Sequence, residues 1–159
     1  MTQARVVGRT IAGDLDATDL RIGVAQSTFN EMVTRGLLDG ALEVLAKANA
    51  VDVTVVRVPG AFELPLVAKQ LIESGHDAVV AIGAVVLGET DHYEHIAHRA
   101  SEGLQRVMLD TGVPVSFGVL TVRDRDQAQA RSEPGPKNKG AEAAAAAIET
   151  ANALRKLEA

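Results

Sequence analysis

The feature that most constrains the fold is an apolar run, Ala78 to Val86, followed by a polar loop containing glycine. The full stretch reads A-V-V-A-I-G-A-V-V-L-G-E-T-D-H-Y. The run lacks the alternation of polar and apolar residues that marks a strand with one solvated face. An unbroken series rich in Val and Ile is typical of a strand covered on both faces. It therefore predicts a central strand of a parallel sheet.

The loop after this run carries His92. In open α/β sheets, ligands bind outside the carboxyl ends of the strands. A histidine at that place, at the predicted start of a helix, is positioned for acid/base chemistry. A solvated surface histidine explains the same position equally well.

The bulk properties exclude several classes of protein. With 159 residues and 47% hydrophobic residues, the chain is long and apolar enough for one folded domain. A net charge of −5 disfavours a nucleic-acid surface, and the absence of Cys excludes thiolate chemistry. Since no signal peptide or membrane span is evident, we expect a cytoplasmic protein, with residues 1–9 a flexible arm and residues 10–159 one domain.

Periodicity and breaker residues predict alternating strands and helices after a short edge strand at 10–12. Strands are expected at 21–26, 51–58, 78–86 and 113–121, and helices at about 30–49, 63–74, 93–110, 124–131 and 138–157. The order predicts a single-domain three-layer α/β/α sandwich with a mainly parallel, flavodoxin-like doubly wound sheet.

Three local features carry further expectations. Ser27 or Asn30 is predicted to cap the first helix. Gly36 and Gly40 share one helix face, which indicates close packing against a strand or another subunit, unless they are ordinary surface glycines. The alanine-rich helix from Ala141 onward has a thin apolar stripe, so we expect it at a sheet edge or against a neighbour rather than on a deep core.

If the sheet is parallel, the loops after its first three strands converge. They carry Phe29-Asn30, the segment 59–63 and the segment 88–92. With only three Phe in the chain, an aromatic residue in such a loop suggests a stacking platform for a flat ligand. The alternative is a hydrophobic staple across the helix start.

Charged residues add two possible sites. Glu63 at a helix start suits either dipole stabilisation or binding of ligand hydroxyls. Arg131, Lys137 and Lys139 are arranged to bind an anion such as phosphate, unless they form a solvated basic surface. His92, His95 and His98 have a spacing that can bind metal, but no carboxylate or thiol pattern accompanies them, so no metal is expected.

Four motifs in register resemble the lumazine synthase family of riboflavin biosynthesis: S-T-F-N at 27–30, G-A-F-E-L-P at 60–65, G-E-T-D-H-Y at 88–93 and N-K-G at 138–140. The resemblance extends from about Thr10 to the C-terminus. It implies condensation of 5-amino-6-(D-ribitylamino)uracil with 3,4-dihydroxy-2-butanone 4-phosphate to give 6,7-dimethyl-8-ribityllumazine, releasing phosphate and water. It also implies that the enzyme needs no cofactor or metal.

The same resemblance implies roles for individual residues. Proton transfer falls to His92 and phosphate binding to Arg131, assisted by Lys139. Substrate contacts fall to Phe29, Asn30, Ala61, Phe62, Glu63, Val85, Val86, Glu89, Thr90 and Phe117.

The family further implies a homopentamer or a multiple of pentamers, with Phe117, Arg131 and Lys139 on one subunit and the other groups on its neighbour. An association with riboflavin synthase is also implied. Two positions depart from the family pattern: Leu87 stands where arginine is frequent, and Asp91 introduces an acid that would repel a phosphate. Because 132–137 lacks a glycine-lysine-glycine pattern, pentamers or paired pentamers are expected rather than a shell.

Two other functions fit parts of the pattern. A non-catalytic flavin- or lumazine-binding or shell protein of the same fold would use Phe29 and Glu63 but not His92. A riboflavin synthase that dismutates two lumazines would have no use for the cations at Arg131 and Lys139.

Overall fold

The computed structural model describes residues 8–159, and these form one parallel sheet covered by helices on both faces. The strands are β1 (Arg21–Ser27), β2 (Asp52–Val58), β3 (Ala78–Val86) and β4 (Val115–Val122). The helices are α1 (Glu31–Lys47), α2 (Leu64–Glu73), α3 (His92–Thr111), α4 (Arg125–Ser132) and α5 (Lys139–Glu158). A short 3-10 turn at Ala61–Glu63 precedes α2.

The strand order is β2-β1-β3-β4, with all neighbours parallel. One core layer joins the sheet to α1, α4 and α5, and the other joins it to α2 and α3. The predicted three-layer, doubly wound fold is therefore confirmed. The run that suggested it, β3, is buried along nearly its whole length between these layers.

The expected edge strand at 10–12 is wrong, because these residues have no strand structure. Residues 12–16 are instead bound by side chains of α5. Asn152 Nδ2 donates to the carbonyl oxygens of Asp14 and Asp16 at 3.0 and 2.8 Å, and Lys156 Nζ donates to that of Ala12 at 2.9 Å. Side chains of α5 thus satisfy backbone groups that a neighbouring strand would otherwise bind. Of the expected flexible arm at 1–9, residues 1–7 lie outside the described residues.

Two carboxylates in this segment have shifted pKa values. The hydrogen bond with Lys156 lowers the pKa of Asp14, and hydrogen bonds from Thr18 lower that of Asp16. Both carboxylates are exposed; the Asp14 contact joins the segment to Lys156 of α5, whereas the Asp16 contact with Thr18 is local to the segment.

The prediction that Ser27 or Asn30 caps α1 through its side chain is also wrong. Ser27 is the last residue of β1 and is buried. Asn30 does stand at the N-cap position, but in the left-handed conformation with φ 61°, and its side chain forms no cap bond. Two other helices are capped as the general rule expects: Asp124 accepts from the backbone N–H of Gln127, and Asn138 from that of Ala141.

The expectation for the alanine-rich helix is corrected as well. α5 packs on β3, β4 and α1, and one face of it is fully buried: Gly140, Ala143, Ala144, Ala147, Ile148 and Ala151. Small side chains do not prevent core packing here; they let the helix approach the sheet closely, as the contact of Ala143 with Gly118 illustrates.

The close packing expected at Gly36 and Gly40 is present, but against the chain's own α4–α5 connection. A Cβ on Gly36 would overlap the carbonyl oxygen of Ser132, and one on Gly40 would overlap the side-chain oxygen of Asn138. These glycines are therefore not ordinary surface positions. No helix within residues 8–159 is long and apolar enough to cross a membrane.

Candidate functional site

A cleft of about 520 Å³ opens where the carboxyl ends of β1, β2 and β3 meet. Its walls come from the three loops that the sequence predicted to converge. The lining residues are Phe29, Asn30, Gly60, Ala61, Phe62, Glu63, Ala84, Val85, Val86, His92 and Ile96. A cavity of this size, mostly apolar with a few polar groups, is suited to a small organic ligand.

Phe29 contributes an aromatic face to the cleft. Its ring is 65% exposed, while its backbone N–H donates to the carbonyl oxygen of Pro59 at 2.9 Å. A hydrophobic staple would pair Phe29 with the residue four positions into α1, which is the buried polar Thr34. The ring instead lies against Gly60 across the cleft floor. This geometry suits a platform on which a flat ring stacks.

Asn30 ties the first loop to the third. Its side-chain Nδ2 donates to the carbonyl oxygen of Ala84 at 3.3 Å. The left-handed backbone at this position, which Asn tolerates better than most residues, turns the chain from β1 into α1. The side chain thereby holds the α1 entrance against the end of β3.

Glu63 closes the second loop on itself. Its Oε2 accepts the backbone N–H of Gly60 at 3.0 Å, so the carboxylate satisfies a free donor at the start of the 3-10 turn. The carboxylate has a second oxygen, which is available to a ligand hydroxyl. Between these residues, Ala61 is buried and Phe62 is 58% exposed.

The third loop brings His92 to the cleft. His92 is the first residue of α3 and is exposed, and its backbone N–H donates to Thr90 Oγ1 at 3.4 Å. Val85 and Val86 form the wall at the end of β3. Glu89 and Thr90 are exposed in the loop beside them and are not lining residues of this cleft.

The remaining predicted residues lie elsewhere in the same chain. Phe117, on edge strand β4, and Lys139, at the start of α5, line a separate depression of about 260 Å³. Lys139 Nζ pairs with Glu142 at 2.8 Å, and both side chains are largely exposed. An exposed pair of this kind is weak, so the ammonium group can exchange its partner for another anion.

Arg131 lies in the last turn of α4, on the opposite side of the sheet from the cleft's α2–α3 wall. Its Nη1 donates to the carbonyl oxygen of Gln127 at 3.0 Å, which fixes the side chain along the helix. Lys137 is exposed in the connection that follows. The structure therefore brings Phe29, Glu63 and His92 together, and it separates them from Phe117, Arg131 and Lys139 within one chain.

Sequence reasoning missed three lining residues. Gly60 stood within a quoted motif but received no role, although its lack of a side chain makes room for Phe29. Ile96 is one helical turn after His92 and so shares its face, a signal the sequence did contain. Ala84 contributes through its backbone carbonyl, which no sequence pattern reveals. Across residues 8–159, no three His, Asp or Glu side chains are arranged to hold a metal ion.

Comparison with known proteins shows the family to which this chain is similar. A family model described as 6,7-dimethyl-8-ribityllumazine synthase matches residues 19–155. A protein of that name from Thermococcus kodakarensis is 50% identical over 117 residues, covering 73% of this chain and 75% of the relative. Another of the same name, from Thermococcus gammatolerans, is 49% identical over 151 residues, covering 94% and 97% respectively.

Proposed function

Because this chain belongs to the 6,7-dimethyl-8-ribityllumazine synthase family, we propose that the cleft of Phe29, Glu63 and His92 is its active site. The protein is a transferase of riboflavin biosynthesis. It condenses 5-amino-6-(D-ribitylamino)uracil with 3,4-dihydroxy-2-butanone 4-phosphate and releases phosphate and water. The names of both relatives favour this enzyme over a non-catalytic binding protein or a riboflavin synthase.

The observation that carries the site assignment is the combination of an exposed aromatic face and an exposed histidine in one cleft. In our proposal the pyrimidine ring stacks on Phe29 and contacts Asn30, while Val85 and Val86 lie along the ring. The ribityl chain extends over Ala61 and Phe62, where its hydroxyls donate to the free oxygen of Glu63. The backbone of Glu89 and Thr90 helps to hold the phosphorylated ketone.

His92 is proposed to move protons. The uracil amine attacks the ketone carbonyl, and the resulting adduct loses water to form an imine. Elimination of phosphate and closure of the second ring then require further proton transfers near neutral pH, for which imidazole is suited. The exposed His92 side chain at the cleft can reach such atoms without rearranging the fold. Much of the remaining acceleration comes from holding two reactants together.

Arg131 is proposed to bind the phosphate, with Lys139 assisting and Phe117 closing the pocket. A guanidinium has five N–H donors, and the bond to Gln127 uses only one nitrogen. The remaining donors suit a bidentate contact with phosphate oxygens. Fixed positive charge also stabilises the phosphate as it leaves.

These three groups lie outside the cleft in their own chain, which supports a site completed by a second copy. We propose a homopentamer, or a multiple of pentamers, in which one subunit supplies the cleft and its neighbour supplies Phe117, Arg131 and Lys139. A ring built from one repeated contact gives every subunit both roles. The exposed Phe117, 48% accessible, is an apolar group that such a contact would bury.

The proposal extends to three broader points. Residues 10–159 form the single catalytic domain. The charged, phosphorylated ketone does not cross a membrane unaided, which favours a cytoplasmic location. Association with riboflavin synthase, which uses the lumazine product, is testable by co-sedimentation of the two purified proteins.

The direct experiment mixes purified protein with both substrates and follows the lumazine by absorbance. Product formation well above the uncatalysed rate, lost on removal of either substrate, is the expected result. No acceleration in a sample that sediments as a pentamer or larger would contradict the proposal.

A further inference from the structure

The side chain of Asn138 forms hydrogen bonds through both its nitrogen and its oxygen. It is 2% exposed. Its Nδ2 lies 3.0, 3.1 and 3.0 Å from the carbonyl oxygens of Gly36, Ser132 and Glu133, so its two N–H groups are shared among three acceptors. Its Oδ1 accepts the backbone N–H of Ala141 at 3.0 Å. One amide group therefore joins α1, the end of α4 and the start of α5.

This amide lies between the two cations assigned to the phosphate. Arg131 immediately precedes Ser132, whose carbonyl binds the amide, and Lys139 immediately follows Asn138 in the chain. The intervening connection, residues 133–137, is exposed and includes two prolines and a glycine with φ 125°. Asn138 is thus the buried point that fixes both ends of an otherwise solvated connection.

Helix α1 is shaped to receive this side chain. A Cβ on Gly40 would overlap Asn138 Oδ1, and a Cβ on Gly36 would overlap the Ser132 carbonyl oxygen. The two glycines, one helical turn apart, form a shallow seat for the α4–α5 connection. The seat explains why the helix tolerates residues that each cost about 1 kcal/mol of helix propensity relative to Ala.

The chemistry of the contact requires an amide. A serine at position 138 still offers an oxygen for the α5 N-terminus, but it cannot donate to three carbonyl groups. An aspartate keeps the cap and places a carboxylate oxygen against those carbonyls, where it has nothing to accept from. Capping alone is therefore compatible with serine, whereas holding the α4–α5 connection is not.

We infer that Asn138 is a positioning residue for phosphate binding: it sets the separation of the backbones that carry Arg131 and Lys139. The inference rests on the proposed function, since those two residues are its phosphate ligands. It assigns Asn138 no contact with substrate. Replacing Asn138 is expected to weaken binding of the phosphorylated ketone. It should not change binding of the ribitylamino-uracil, which occupies the cleft of Phe29.

The test is the steady-state kinetics of Asn138→Ser with each substrate varied in turn. We expect the KM for the butanone phosphate to rise about tenfold, because small displacements of binding groups weaken contacts that depend on orientation. The KM for the ribitylamino-uracil should stay within about twofold. Gly40→Ala, which displaces Asn138 while keeping its amide, should show the same selectivity and carries the test if the serine variant does not fold.

Asn152→Ser is the matched control. Asn152 also donates through Nδ2 to three oxygens, but at the far end of α5, on Asp14 and Asp16. Loss of this contact should lower the melting temperature without changing either KM. If Asn138→Ser and Gly40→Ala behave like this control, Asn138 is merely structural and the inference is overturned.

Arg131→Ala separates this failure from that of the proposed function. If it raises the KM for the butanone phosphate while the Asn138 and Gly40 variants do not, only the positioning role falls. If Arg131→Ala leaves that KM unchanged, the phosphate assignment falls and the positioning role falls with it. If the phosphate assignment and the positioning role are both correct, the two changes act on one interaction. Asn138→Ser should then raise the KM for the butanone phosphate by a smaller factor in the Arg131→Ala background than in the unchanged protein.

Discussion

The ring of Phe29 lies directly against the backbone of Gly60. A Cβ at position 60 would stand 3.1 Å from both Cδ2 and Cε2 of the ring, and 3.0 Å from Glu63 Oε2. Gly60 has extended backbone angles, φ −133° and ψ 171°, which other residues adopt without strain. Its lack of a side chain is therefore a matter of space, and the space is occupied by the proposed stacking platform.

Gly60→Val should displace the Phe29 ring and weaken binding of the ribitylamino-uracil. We expect its KM to rise about two- to tenfold, in line with the 0.5–1.5 kcal/mol typical of an aromatic contact. Phe29→Ala should have a similar effect, and the two changes together should add little. An unchanged KM in Gly60→Val would show that the ring does not support the substrate.

His92→Ala should lower kcat by about 10²–10⁴-fold, the usual contribution of a positioned acid/base group. The KM values should change little, because Phe29 and Glu63 remain. His95→Ala is the matched control, since His95 is exposed on the same helix but does not line the cleft. Equal activity in the two variants would remove His92 from the mechanism.

The shared site can be tested by mixing two impaired variants, His92→Ala and Arg131→Ala, and assaying the mixture at a butanone phosphate concentration far below the KM of Arg131→Ala. In a ring of randomly mixed subunits, about a quarter of the sites would combine an intact His92 with an intact Arg131 from the neighbour. Activity near that fraction should therefore return after the two are unfolded and refolded together.

The control places both changes in one chain and mixes it with the unchanged protein. A shared site again leaves about a quarter of the sites intact, whereas a site within one subunit leaves about half. No recovery in the first mixture and half activity in the second would contradict the shared site.

The alternation of elements could be predicted from the sequence because each has a strong local signal. β3 was evident from its apolar run, and α2 from Pro65 in its first turn. The convergence of Phe29, Glu63 and His92 then followed from topology alone, since parallel strands end at one edge of a sheet. The individual roles of these residues stay predictions.

The contacts that sequence reasoning missed are set by tertiary packing. The pattern at 10–12 suited a strand, but Lys156 and Asn152 on α5, more than 130 residues away, bind the backbone carbonyls of Ala12 and Asp16. Asparagine is a common N-cap residue, but the side chain of Asn30 donates a hydrogen bond to the carbonyl oxygen of Ala84 on β3 and does not cap α1. In both cases a distant partner outcompetes the local preference, and no local pattern encodes that partner.

The packing of the alanine-rich helix α5 could not be predicted from its own sequence either. Its thin stripe suggested weak packing because alanine buries little area per residue. In the structure, a short distance between α1 and α5 makes up for the small area that each alanine buries. The two backbones nearly touch, since a Cβ on Gly140 would overlap the carbonyl oxygen of Leu37. How closely two helices approach depends on both partners, which one helix's pattern cannot supply.

The close contact between α1 and α5 leads to a prediction about stability. Gly140→Ala should gain about 1 kcal/mol of helix propensity in α5. The added methyl group, however, meets backbone rather than a flexible side chain, and overpacking typically costs about 1–3 kcal/mol. Because a carbonyl cannot rotate away as a side chain can, we expect the clash to dominate, with a net loss of up to about 2 kcal/mol in the free energy of unfolding.

Denaturant unfolding at fixed protein concentration measures this balance, since any assembly makes stability concentration-dependent. Ala146→Gly, at an exposed position of the same helix, calibrates the propensity term. A Gly140→Ala variant more stable than the unchanged protein would mean that α1 and α5 separate at little cost. Their close contact would then not be what holds α5 on the core.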